Sequence, residues 1–323
     1  MTDAPIRARV QLLIDTDPGA DDALAILLAL RTPGVDVVAL NTVAGNVDVD
    51  RATRNALIVL EAAGRAEIPV HRGAAVPLSA EPVEPATGFH GEDGLGGQGF
   101  EPRGRAHDDP ALDATLALLR DRGPDLTWVV LGPLTNVAHA LRADPDACRH
   151  VRRLVVMGGT GDGVGNVTPA AEFNFWADPE AARVVLHAGL PLYLVGWDVS
   201  RRDARIGPTE LEQLRASGDP VAAFALAVTT RYREACAAIG GGALDDSLDL
   251  PDPVAMAAAL ELERATWRRI AGDVELQGEL TRGALVLDHW GTTGIEPNIE
   301  LCTGFDPEHF RSVLVQRLTT ASA

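Results

Sequence analysis

The chain has 323 residues, 46% of them hydrophobic, and a formal net charge of −18. That size and apolar content suffice for a large core, while no stretch approaches the uninterrupted apolar run of a membrane span. The acidity argues against a nucleic-acid partner, which needs clustered basic side chains. All 28 basic residues are arginine, which excludes a Schiff-base lysine and a phosphate loop of the GxxxxGK[ST] type. Three cysteines, Cys148, Cys236 and Cys302, are too few and too scattered for a disulfide framework or a zinc site. Residues 1–9 carry no basic region followed by an apolar run, so the expected compartment is the cytoplasm.

In chain order, apolar strands are predicted near 10–15, 35–43, 68–71, 126–131, 153–158 and 191–197. Helices are predicted near 21–31, 51–64, 110–121, 134–142 and 178–188. This alternation predicts an α/β fold, a Rossmann-like and mostly parallel sheet flanked by helices, in a single domain spanning 1–323. From about 208 to 264 the pattern is mainly helical, 273–288 alternates like a hairpin around Thr281-Arg282-Gly283, and a last helix starts near Asp306. The segment 74–109 is rich in Pro and Gly and too long for an ordinary connector. With His90-Gly91-Glu92-Asp93-Gly94-Leu95-Gly96-Gly97 at its centre, it reads as a flap over a site.

The densest chemistry lies where the first strand ends. Leu13-Ile14 runs into Asp15-Thr16-Asp17-Pro18-Gly19-Ala20-Asp21-Asp22-Ala23. A helix start needs one or two acids, and Pro-Gly is an ordinary turn. Four carboxylates in eight positions repel one another unless a cation neutralises them, and oxygen ligands at a strand's carboxyl end suit Ca²⁺ or Mg²⁺. Polar or glycine-rich tips recur after the other strands, at Ala44-Gly45-Asn46, at 131–136 and at Met157-Gly158-Gly159. Further on, Asn166, Glu172 and Asn174 offer amides and a carboxylate amid aromatics, which suits the vicinal hydroxyls of a sugar.

Through DTDPGADDA, AGN, HGEDGLGG, LGPLTN, VVMGG, AEFNFWADPEAA, WDVS and PDPVA, in order along nearly the whole chain, the sequence resembles the nucleoside hydrolase family of the inosine-uridine type. The resemblance implies hydrolysis of the N-glycosidic bond of ribonucleosides to free base and ribose, with one Ca²⁺ at the carboxyl edge of the sheet. It implies Asp17, Asp22 and Asp252 as carboxylate ligands and the backbone carbonyl of Leu131 as a further one. Asp17 would be the general base on a metal-bound water that attacks C1′, with Asn46 orienting that water. Asp21, Asn46, Met157, Asn166, Glu172 and Asn174 would bind the ribose, and His90 matches the family's flap histidine near the base. The resemblance also implies a homodimer or homotetramer acting on a small-molecule nucleoside, while composition and charge argue against a membrane or nucleic-acid partner.

One departure matters. Many relatives have His immediately before the last metal Asp, where it is implicated in protonating the leaving base, and this chain has Pro251. His90, Trp176 and Trp197 are the candidate substitutes, and base contacts are expected from the 74–109 segment and from 225–250, including Arg231, Arg233 and Gly240-Gly241-Gly242. Two readings stay open beside the nucleoside hydrolase: hydrolysis of another N-riboside, such as a modified nucleoside or nicotinamide riboside, and a noncatalytic Ca²⁺- and ribose-binding homologue. A phosphatase of the haloacid-dehalogenase type does not fit, because Gly19 stands where Thr or Val is required and the lysine is missing.

Overall fold

The computed structural model describes residues 10–79, 84–239 and 247–320. Among the described residues eleven strands occur in chain order: β1 Val10–Thr16, β2 Val35–Thr42, β3 Val70–Arg72, β4 Leu126–Val130, β5 Arg153–Met157, β6 Leu192–Val195, β7 Arg205–Ile206, β8 Leu248–Asp249, β9 Ala265–Val274, β10 Leu285–Asp288 and β11 Ile299–Phe305. Nine form one sheet in the order β10-β9-β11-β6-β5-β4-β1-β2-β3, and β7 pairs with β8 apart from it. From β3 to β6 every neighbouring pair is parallel. The chain steps outward from β1 to β2 and β3, then returns to the other side of β1 to lay down β4. The point where the order reverses lies between β1 and β4, and open α/β sheets bind ligands in the crevice outside the strand ends there.

Both faces of the sheet are covered, which is why its inner strands read as continuous apolar runs. Side chains alternate between two layers. Leu12, Ile14, Val129, Val155 and Met157 face the layer holding the helices Ala20–Leu30 and Pro251–Leu260. Leu13, Trp128, Val130, Leu154 and Val156 face the opposite layer. Every residue of Ala20–Leu30 is buried, and its alanines, with those of Pro251–Leu260, let these helices pack closely and bring both N-termini to the carboxyl edge of the sheet.

The predicted hairpin exists, but β9 begins at Ala265 rather than near 273. Its turn needs glycine at 283, where φ is +85° and a Cβ would lie 2.6 Å from the Trp176 backbone. Strand β11 has no counterpart among the predicted elements. It wedges between β6, to which it is parallel, and β9, to which it is antiparallel, so its burial follows from two different partners and not from a simple alternation. The stretch predicted as strand to 197 ends at Val195 and turns into the helix Trp197–Asp203. The last helix, Pro307–Thr319, is capped by the Asp306 carboxylate on the N–H groups of Glu308 and His309. Gly240-Gly241-Gly242 lies outside the described residues, and no helix among the described residues is long and apolar enough to cross a membrane.

Behind the switch point, Asp15 on β1 is buried among donors. It accepts hydrogen bonds from Trp128 Nε1 on β4 and, at 2.6 Å, from Asn136 Nδ2, which also donates to the Thr42 carbonyl at 3.0 Å. Burial outweighs these bonds and raises the Asp15 carboxyl to about 6. Trp128→Phe keeps an aromatic ring in place and removes one donor from this carboxyl. Urea denaturation should show a loss of about 1–3 kcal/mol, and an unchanged midpoint would mean that the bond contributes nothing to folding.

Candidate active site

The residues after β1 turn back on themselves to present three carboxylates. Asp22, in the first turn of Ala20–Leu30, accepts Thr16 Oγ1 at 2.5 Å, the Gly19 N–H at 2.9 Å and Asn46 Nδ2 at 3.1 Å. The Asn46 N–H donates to Asp17 Oδ2 at 2.6 Å. One loop residue after β2 thereby fixes two carboxylates of the β1 loop. A Cβ on Gly45 would stand 2.0 Å from Asp17 Oδ2, and one on Gly132 would stand 2.4 Å from Asp17 Oδ1. The tips after β2 and β4 are glycine because the Asp17 carboxylate fills the space.

Asp252 arrives from the opposite helix, in the first turn of Pro251–Leu260, and offers an oxygen within 4.8 Å of oxygens from Asp21 and Asp22. Asp17, Asp21, Asp22 and Asp252 are all at most 6% exposed. Desolvation, followed by repulsion from Asp22, holds Asp17 well above the ordinary carboxylate range and Asp21 at about 7. Burial and the charges of Asp21, Asp22 and Asp17 likewise raise Asp252. Asp17 Oδ1 and Asp21 Oδ1 are buried without a hydrogen-bond partner. Anionic hard oxygens with unused lone pairs fit a divalent cation of the Ca²⁺ or Mg²⁺ kind. The family resemblance names Asp17, Asp22 and Asp252 as carboxylate ligands, and the structure groups Asp21 with Asp22 and Asp252 as well.

Near enough for its charge to act on Asp21, the Glu172 side chain accepts N–H groups of Gly159, Asn174 and Phe175 at 2.8–3.2 Å. It caps the helix Phe173–Ala177, and burial raises it to about 7. Asn174 Nδ2 donates to the Leu131 carbonyl at 2.6 Å and the Met157 carbonyl at 3.1 Å, and lies 3.3 Å from Met157 Sδ. The Leu131 carbonyl has a second lone pair for a cation. Asn166 stands apart from these buried groups, exposed on a loop closed by its N–H on the Ala171 carbonyl at 3.1 Å.

The centre of the 74–109 segment is pinned where the glycine-rich sequence suggested a hinged flap. His90 and Leu95 are buried, and a Cβ on Gly96 would meet the Val228 carbonyl at 2.7 Å. His90 Nδ1 accepts the Ala20 N–H at 3.1 Å and its ring stacks on Tyr232 at 5.6 Å. Burial lowers the histidine to about 4 against the pull of Asp22, so the ring is neutral at pH 7 and its proton resides on Nε2. Of the other candidates for base contact, Trp197 carries the Arg201 guanidinium 4.4 Å above its ring, and Arg231 pairs with Glu234 at 3.4 Å. Thr16, Asn55, whose amide donates to the Pro18 carbonyl, and Tyr232, under the His90 ring, join the site without being named from the sequence, although Tyr232 lies in the 225–250 stretch where base contacts are expected. Thr16 sits inside the acidic motif and was legible there. Nothing local marks Asn55 or Tyr232.

The family model described as inosine-uridine preferring nucleoside hydrolase matches residues 12–312. The chain is 38% identical over 312 residues to the pyrimidine-specific ribonucleoside hydrolase RihA of Enterobacter sp. (strain 638), covering 96% of this chain and 98% of that protein. Among solved structures, the plant nucleoside hydrolase PpNRh1 matches with a TM-score of 0.91 at 33% identity, over 97% of this chain and 99% of the other. An inosine-guanosine nucleoside hydrolase matches with a TM-score of 0.89 at 33% identity, over 98% and 100%.

The raised carboxyls give a signed prediction. Asp15 (about 6), Asp21 (about 7) and Glu172 (about 7), with Asp17 and Asp252 above their usual range, hold protons in the fold that the unfolded chain releases near pH 4. Their contribution is full below pH 4 and is lost as pH rises through 6 to 7. His90, lowered to about 4, runs the other way between pH 4 and 6.5 but is a single group. In chelator, the melting temperature should therefore fall from pH 5 to pH 8. Excess Ca²⁺ should raise it more at pH 8 than at pH 5, since binding displaces those protons. A Ca²⁺ effect that stays constant across this range would separate the ion from these carboxylates.

Proposed function

The chain belongs to the nucleoside hydrolase family, enzymes that hydrolyse the N-glycosidic bond of ribonucleosides, and we propose that it does so with Ca²⁺ held by Asp17, Asp22, Asp252 and the Leu131 carbonyl. The observation that carries this reading is the bare oxygen of Asp17. It is buried and unpartnered beside a cluster of three further carboxylates. When bound, the cation neutralises these charges and raises the acidity of a nearby water.

In this reading Asp17 takes the proton from the water that attacks C1′. Its other oxygen is tied to the Asn46 N–H, so the carboxylate stays aimed while the bare oxygen accepts the proton. The positive charge that develops on the sugar meets Asp21 and its neighbours, which is how buried carboxylates favour an oxocarbenium-like transition state. Asn174 and Met157 line the ribose side, and Glu172 holds Asn174 through its backbone N–H. Asn166 reaches the ribose only if its exposed loop folds inward.

With Pro251 at the first turn of its helix, the residue preceding Asp252 offers no imidazole. The neutral His90, with Nδ1 occupied by Ala20, offers Nε2–H as a hydrogen-bond donor to the departing base and not as a strong acid. Bases that leave without full protonation are then favoured. Relatives named for pyrimidine nucleosides and for inosine and guanosine both span nearly the whole chain, so the substrate panel must contain both classes.

Purified protein incubated with purine and pyrimidine ribonucleosides plus Ca²⁺ should release reducing sugar from at least one of them, and chelator should stop the release. Asp17→Asn should lower kcat by about 10²–10⁴-fold, and Asp252→Ala should raise the Ca²⁺ requirement with a smaller loss at saturating ion. Ribose release indifferent to chelator, or an active Asp17→Asn, would sink the mechanism. Bound Ca²⁺ with no turnover of any substrate would favour the noncatalytic reading.

A further inference from the structure

One buried amide joins the cation loop to the His90 segment. Asn55, on the helix Val49–Ala62 and 4% exposed, donates from Nδ2 to the Pro18 carbonyl at 2.9 Å and to the Asp93 carbonyl at 2.7 Å. Each hydrogen of the amide has its own acceptor. Pro18 lies between Asp17 and Gly19, and the Gly19 N–H holds Asp22. On the other side, the Asp93 carboxylate gathers the N–H groups of Leu95, Gly97 and Gly99 at 2.8–3.3 Å. One residue thereby gives its carbonyl to Asn55 and its side chain to the turn that follows.

The fit leaves no slack. Gly94 has φ +81°, and a Cβ there would lie 2.6 Å from Asn55 Nδ2 and 3.1 Å from the Pro18 carbonyl. Four residues earlier, His90 Nδ1 accepts the Ala20 N–H. The segment therefore meets the cation loop on either side of Gly19, directly at Ala20 and through Asn55 at Pro18. The amide is fully satisfied only while both carbonyls are in place, and withdrawal of either segment leaves a buried N–H of Asn55 without an acceptor.

We propose that Asn55 is a positioning residue that couples cation binding at Asp17 and Asp22 to the ordering of residues 86–99, the segment that carries His90. This rests on the cation assignment made above. Binding that fixes Asp17 also fixes the Pro18 carbonyl and so tightens the His90 segment, and by reciprocity an ordered segment raises cation affinity.

The test is hydrogen exchange of peptides spanning 86–99, with Ca²⁺ alone and with chelator, alongside calorimetric Ca²⁺ titration. Three variants are compared with the wild type: Asn55→Ala, Asn55→Asp, which keeps the size but removes the donor, and Gly94→Ala, which wedges the same contact from the loop side. Ca²⁺ should slow exchange of the segment about tenfold in the wild type. In the variants that slowing should vanish and the Ca²⁺ dissociation constant should rise by about the same factor. KM for a ribonucleoside should rise more than kcat falls, which a merely destabilised fold would not produce. Equal slowing in wild type and variants, or Ca²⁺ binding to the wild type without any slowing, would overturn the coupling alone. Failure of Ca²⁺ to bind the wild type would overturn the coupling and the cation assignment together.

Discussion

Asp17, Asp21, Asp22 and Asp252 crowd one buried site, and among the described residues the only basic side chain that approaches any of them as an ion partner is His90, 3.8 Å from Asp21 and neutral at pH 7. Like charges at that spacing in a desolvated site either take up protons or take up a cation. Much of the surrounding structure reads as provision for them. Thr16, Gly19 and Asn46 occupy lone pairs of Asp22 and Asp17. Two glycines make room for Asp17, and two alanine-rich helices approach closely enough to place Asp252 against Asp21 and Asp22. The sheet contributes the geometry, because its order reverses between β1 and β4, the strands whose ends carry Asp17 and Leu131.

How much of this is legible in the sequence depends on whether the deciding contact is local. The alternation of strands and helices is written in periodicity, and it predicts the parallel half of the sheet and every strand from β1 to β6 to within a few residues. The acidic motif is likewise local, since repulsion among carboxylates seven positions apart or closer needs no tertiary information. Strand β11 is invisible because its neighbours, β6 and β9, are distant in sequence and approach it in opposite senses. Asp252 is legible only through family resemblance, since Pro251-Asp252-Pro253 is also an ordinary helix entry.

Asn55 and Tyr232 illustrate a stricter limit. An asparagine within an amphipathic helix and a tyrosine on another carry no signal of their own, and their roles come from what the 86–99 segment lays against them. The same segment shows how composition misleads. Glycines that suggest a hinge are here the residues that permit contact, with Gly94 and Gly96 lying against a carbonyl of Pro18 and of Val228. His90 changes character for a similar reason: an exposed loop histidine titrates near neutrality, whereas this one is buried, stacked and hydrogen-bonded to a helix N-terminus.

The glycines that flank Asp17 also bear on engineering. A side chain at 45 or 132 would occupy the volume of the carboxylate itself, so libraries aimed at new specificity gain nothing by randomising the tips after β2 and β4. The exposed loop carrying Asn166 leads into the buried Glu172 and Asn174, and apart from Gly165, where a Cβ would stand 2.3 Å from the Ala171 backbone, its side chains have few buried obligations. The exposed positions of that loop, away from the packed carboxylates, are the sensible place for a designer to begin.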